Sequence, residues 1–167
     1  MELRLREAGP TDADVLVGIL IASKVGSIPQ LIGEHDRDEA FWTDRWRSYL
    51  NDGSRAQGSL GDGFALLAEL SGKAVAFAAW HHTTRHGTNA ELESIYVVHS
   101  AQRAGVGTAL LRAVASRLLA DGSRSLCVGY DPRSPYKRFY FKHGAVELNP
   151  HWAIWRPLDT LALDPPG

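Results

Sequence analysis

The chain has 167 residues, 44% hydrophobic and 22% charged, a size and balance that favour one domain with a core of its own. With 18 Lys and Arg against 19 Asp and Glu it lacks the broad basic surface that nucleic-acid binding requires. The lone Cys127 excludes an intramolecular disulfide and a cysteine metal cluster, no apolar run approaches the roughly 20 residues of a membrane span, and no apolar stretch follows the charged start, so a cytoplasmic protein off the membrane is expected.

Leu3-Arg4-Leu5-Arg6 alternates like a short strand, and Gly9-Pro10-Thr11-Asp12 then gives a turn and cap for a helix carrying Val15, Leu16, Ile19 and Leu20. A second helix is expected over 36–50, with Trp42, Trp46 and Tyr49 as an aromatic stripe. Residues 51–63 read as a surface loop rich in Gly, Ser, Asp and Asn. Segments 64–69, 74–82 and 89–98 read as three strands whose short connections make them antiparallel. From Gly105 the period turns helical, with Val106, Leu110, Val114 and Leu118 at four-residue spacing and Gly122 as the stop. A strand over 125–130, a helix over 134–142 and strands over 145–148 and 152–155 complete the order β-α-α-β-β-β-α-β-α-β-β. This is a mixed α/β, three-layer fold with a mostly antiparallel sheet and one parallel pair around 89–130. The expected domain is 1–160, followed by a disordered tail over 161–167.

The turn Gln102-Arg103-Ala104-Gly105-Val106-Gly107 joins a strand to a helix. The unpaired N–H groups and dipole of a helix start make an anion site, and glycine lets backbone approach phosphate oxygens. A dinucleotide fingerprint would need a third glycine where Leu110 stands, and a nucleoside-triphosphate loop would need lysine before Thr108. Neither fits.

These residues resemble the GNAT superfamily of N-acetyltransferases. The hexad 102–107 is similar to that family's pyrophosphate signature, Gln/Arg-x-x-Gly-x-Gly/Ala, and Ile95-Tyr96-Val97-Val98-His99 resembles the strand that pairs with the pantetheine arm. Phe139-Tyr140-Phe141-Lys142-His143-Gly144 resembles a second signature, with Ala145 where an aromatic is usual and Arg133 and Tyr136 where Asn and Ala are common. The resemblance implies the family's fold, with the sheet splayed at the cofactor site, and acetyl-CoA as co-substrate. It puts Ile95, Tyr96, Val97, Gln102, Arg103, Ala104, Gly105, Val106, Gly107, Thr108 and the core residue Phe139 on the cofactor side. The expected activity is acetyl transfer to a primary amine of a small molecule or peptide by direct attack. A homodimer is an assembly common among look-alikes.

An alkylammonium lies about three pH units above neutrality, so freeing its nitrogen costs on the order of 4 kcal/mol and a general base helps. Glu91 and Glu93 are the candidates: residues two apart on a strand share a face, and a second carboxylate nearby raises the proton affinity of the first. The alternative is a solvated strand face, or attraction of a cationic substrate. The resemblance places Glu91 where relatives carry a catalytic glutamate, Tyr140 as proton donor to the departing sulfur, and the Val97 N–H as oxyanion donor. Candidates for the acceptor side are Ile28, His35, Trp42, His82 (or its neighbour His81) and Trp152; His143 reads as a helix-end cap. No metal is expected, since His82 and His86 share no helix face. Two other readings stand beside the transferase: a non-catalytic acyl-CoA sensor, and a transferase for a longer acyl group, suggested by Ala145.

Overall fold

The computed structural model describes residues 2–27, 38–52 and 56–162. The order is β1 (Leu3–Ala8), α1 (Ala13–Ser27), α2 (Glu39–Asp52), β2 (Phe64–Leu70), β3 (Lys73–His82), β4 (Ala90–Val97), α3 (Val106–Ala120), β5 (Leu126–Gly129), α4 (Lys137–Lys142), β6 (Val146–Asn149), β7 (Trp152–Trp155) and α5 (Asp159–Ala162). The predicted mixed α/β order is present, with one further short helix at its end. There Leu158 and Leu161 are buried, so the core extends past residue 160.

One seven-stranded sheet holds every strand, in the order β1-β2-β3-β4-β5-β7-β6. β4 and β5 form the parallel pair, and the other neighbours are antiparallel. Side chains alternate across a strand, so the sheet sorts its residues into two cores. On one face Ala76, Ala78, Trp80, Ala90 and Leu92 pack against Val106, Leu110, Leu111, Val114 and Leu118 of α3. On the other, Ala65, Leu67, Phe77 and Ala79 pack against Leu16, Leu20, Trp46 and Tyr49 of α1 and α2. Leu110, Leu111 and Leu118 are wholly buried, so shortening any of them to alanine would cost about 2–5 kcal/mol.

Two local events shape the middle of the sheet. Ala79 pairs with Ser94 but Trp80 pairs with Leu92, so Glu93 is an extra residue in β4, a β-bulge. β5 pairs with β4 only at Ala90, Glu91 and Leu92. Beyond Leu92 the two strands part, and the stretch from Glu93 to Val97 keeps its β3 partner alone. β5 instead continues along β7, up to Gly129 opposite Trp152. A wedge therefore opens between β4 and β5, and Glu93 stands where it begins.

α4 spans Lys137–Lys142, three residues later at its start than the sequence suggests. Ser134 and Pro135 instead form a turn in which the Ser134 N–H donates to the Asp131 carbonyl. Proline is well placed in such a turn because it has no N–H to leave unpaired.

Candidate active site

The wedge has a different chemistry on each face of the sheet. On the α3 face, Gly105 precedes the helix at φ 79° and Arg103 also has positive φ, 68°. This left-handed pair curls the turn so that successive amides converge, a concavity suited to an anion. The first helical bond is the Ala109 N–H to the Gly105 carbonyl, at 3.0 Å. The amides of Val106, Gly107 and Thr108 are therefore the first-turn donors that the helix cannot satisfy internally. A Cβ on Gly107 would lie 3.4 Å from the Phe139 ring and 3.8 Å from Val97, so a larger side chain has no room between α3, α4 and β4.

Gln102 ties the turn to the wedge: its Nε2 donates to the Val97 carbonyl at 3.0 Å and to the Tyr136 hydroxyl at 3.2 Å. The Val98 N–H donates to Val75 on β3. Because backbone groups alternate sides along a strand, the amides of Val97 and Ile95 face away from β3, toward the wedge. Tyr140 is buried on this face beside Tyr130, Phe139 and Trp155. Burial pushes its phenol well above the ordinary tyrosine value, with a smaller push from Tyr96 across the wedge, so it stays protonated. Thr108 Oγ1 lies 3.1 Å from His143 Nε2, and His143 closes α4 through its N–H.

On the α1–α2 face a cleft of about 210 Å³ is lined by Leu20, Trp42, Arg45, Trp46, Tyr49, Glu93, Ser94 and Tyr96. The aromatic stripe of α2 divides its labour. Trp46 and Tyr49 are buried, with Trp46 edge-on to Phe77 at 5.2 Å, while Trp42 forms cleft wall under Lys24. The Glu93 side chain is 31% exposed here, whereas that of Glu91 is 9% exposed behind it. Desolvation, and then the Glu91 charge, raise the Glu93 carboxyl above its ordinary value; nearby His81, Arg45 and Arg85 partly oppose this.

Sequence reasoning named His81 only beside His82, yet the two part company. His81 is wholly buried between the glutamates. Its Nδ1 lies 3.1 Å from the Tyr49 hydroxyl and 3.7 Å from Glu93 Oε2. Its Nε2 lies 3.6 Å from Glu91 Oε1. Arg85 Nη1 lies 3.0 Å from that same oxygen, as an ion pair without hydrogen-bond alignment. Donor atoms of His81, Glu91 and Glu93 fall within 4.8 Å of one another, compact enough for a cation, but Arg85 already supplies positive charge at Glu91.

His82 lies outside this cleft. Alternation turns it to the α3 side, where its Nε2 meets Asp121 at 2.7 Å beyond the end of α3. Trp152 lies on the glutamate face but one step further along the sheet. Its ring covers Gly129, where a Cβ would approach within 3.1 Å, and it stacks under the Arg85 guanidinium at 4.9 Å. Ile28 and His35 lie outside the described residues. Arg85 was missed altogether, since a lone arginine in a loop carries no signal until Glu91 is seen beside it.

Relatives of known structure share this architecture. The PaiA N-acetyltransferase of Thermoplasma acidophilum, solved with coenzyme A, is 18% identical with a TM-score of 0.72, over 93% of this chain and 99% of that one. An acetyltransferase from Thermus thermophilus is 20% identical with a TM-score of 0.65, over 93% and 97%. A GNAT-family acetyltransferase from Brucella melitensis, solved with acetyl-CoA, is 18% identical with a TM-score of 0.62, over 93% and 88%. No curated protein sequence matches the chain. Residues 29–145 match the model of the acetyltransferase (GNAT) family, and the chain belongs to that family.

Proposed function

We propose that this protein is an acetyl-CoA-dependent N-acetyltransferase, acting on a primary amine of a small molecule or peptide by direct attack. The observation that carries the reading is the wedge between β4 and β5, with first-turn amides of α3 on one face and the Glu93 carboxylate on the other. The site fits the co-substrate: the curled turn at 102–107 offers the diphosphate converging donors, and the outward amides of β4 offer an extended amide chain a strand edge.

Acetyl-CoA supplies an acyl thioester. Glu93, held above the ordinary carboxylate range, takes the ammonium proton so that a neutral nitrogen can attack. Glu91 is paired with Arg85 behind it and is less accessible, which favours Glu93 as the base. The N–H of Val97, with no β5 partner, serves as donor to the developing oxyanion. Tyr140, kept protonated by burial, gives a proton to the leaving thiolate. Of the nitrogen's two lost protons, the one taken by Glu93 reaches solvent and the second restores the Tyr140 phenol, so that the net products are amide, thiol and one released proton. Trp42 and Tyr96 shape the acceptor cleft.

The reading requires a compartment stocked with acetyl-CoA, which the cytoplasm is, and among the described residues no helix is long and apolar enough to cross a membrane. Incubation with acetyl-CoA and a panel of amines should release free thiol only when an acceptor is present. Coenzyme A binding without turnover would convert the reading to a sensor, and neither binding nor turnover would end it.

A further inference from the structure

The cluster behind the cleft has a charge-balance problem that its geometry answers. Glu91 and Glu93 bring two carboxylates to a site where one side chain is 9% and the other 31% exposed. Burying unpaired charge is expensive, so each needs a positive partner. The groups facing the cluster are Tyr49 and Arg45 from α2, Arg85 from the β3–β4 connection, His81 from β3, the buried Cys127 thiol from β5, which burial keeps protonated, and the glutamates themselves from β4. Arg85 neutralises Glu91. Arg45, itself exposed on α2, lines the same cleft and also acts on Glu93, in a field that solvent and salt weaken. Neither arginine lies between the two carboxylates.

The His81 ring is wholly enclosed by this cluster, and each of its nitrogens faces a carboxylate: Nδ1 at 3.7 Å from Glu93, Nε2 at 3.6 Å from Glu91. Both His81 Nε2 and Glu91 Oε1 are buried without a hydrogen-bond partner. Such orphans cost about 1–3 kcal/mol each, and a proton on Nε2 with a small closing motion removes both at once. A proton on Nδ1 is likewise served, by the Tyr49 oxygen at 3.1 Å and by Glu93 behind it.

We propose that His81 is the positioning residue of the base: it holds a proton as an imidazolium between the two glutamates, and so keeps Glu93 ionised, aimed at the cleft and ready to take a proton from the acceptor. The inference rests on the reading of Glu93 as base. The transfer is balanced: the acceptor ammonium gives one proton to Glu93, the imidazolium keeps its own, and Glu93 returns its proton to solvent through the cleft.

Two measurements test it. In ring-nitrogen NMR of the full chain labelled at histidine, both His81 nitrogens should show protonated shifts at neutral pH. Glu91→Gln and Glu93→Gln should each move the ring toward a neutral tautomer, because each removes a carboxylate that holds the charge. A neutral ring in the native protein, untouched by either change, would overturn the proposal. This arm reads out whether or not any amine is turned over, so it stands apart from the acetyltransferase reading.

In kinetics, His81→Asn should lower kcat roughly 10- to 100-fold and leave the KM for acetyl-CoA within about twofold. The acid limb of its kcat/KM profile should move to higher pH by about one unit, because the field that opposes protonation of Glu93 is gone. An unmoved limb would overturn the proposal, as would activity that chelation abolishes and zinc restores. His81→Gln, which keeps a donor near the position of Nε2, should recover part of the loss, where a purely structural role would reward packing alone.

Discussion

The two faces of the central wedge are built by opposite strategies. The α3 face presents backbone: amides of a turn, a left-handed glycine and a free strand edge. The α1–α2 face presents side chains brought from distant positions, such as Tyr49 and His81, which lie 32 residues apart. Backbone donors do not change when residues are substituted, so the first face is suited to a ligand common to every turnover. Side chains are free to vary, so on the proposed reading the second face sets acceptor identity and proton traffic. The contrast predicts that damage to the first face appears in co-substrate binding and damage to the second in kcat.

The largest effect is expected at Glu93. Replacing it with Gln should lower kcat about 10²- to 10⁴-fold while calorimetric binding of coenzyme A is retained. Equal loss of binding would erase the division between faces. Next in size, Gly107→Leu should raise the KM for acetyl-CoA roughly 10- to 100-fold, because side-chain carbons beyond Cβ meet Phe139 or cover the turn amides, and each charge-assisted bond lost is worth about 1.5–3 kcal/mol. Tyr140→Phe keeps the buried ring, so folding should be little changed and kcat should fall about tenfold if the phenol protonates sulfur.

Glu93 also links the acceptor face to stability. Its folded proton affinity exceeds that of an unfolded glutamate, so the stabilisation it gives is complete below the unfolded value and is lost as pH rises through the folded one. Once ionised, the half-enclosed carboxylate therefore weakens the fold, and above that pH Glu93→Gln should melt a few degrees higher than the native protein while losing activity. A lower melting temperature would show that the carboxylate is better satisfied than its surroundings suggest. The smallest effect belongs to His82→Ala. Its exposed pair with Asp121 is worth less than about 1 kcal/mol and lies on the far face, so turnover should not change.

This division also explains what a single sequence discloses. Element order, the parallel pair and the glycine turn before α3 follow from local patterns, including glycines at 105 and 107 and apolar residues every fourth position through α3. The glutamate pair was visible because two positions on one strand share a face. Their difference was not, because a bulge is a mismatch between two strands and is written in neither alone. Neighbouring histidines were equally opaque: alternation says they diverge, but only the location of α2 and α3 tells which is enclosed with glutamates and which meets Asp121. Arg85 became meaningful through Glu91 and Trp152, partners from β4 and β7.

The extra residue at Glu93 has an evolutionary consequence. Strand register depends on how many residues lie between two anchors, so changing the letter at this position leaves the kink in place. Removing that one residue would straighten the ladder, with Ser94 still opposite Ala79 and Tyr96 still opposite Phe77, so the later side chains of β4 would keep their faces while the bulge and its carboxylate were lost together. A substitution at this position changes a side chain alone, whereas a single-codon deletion would take away side chain and kink in one step.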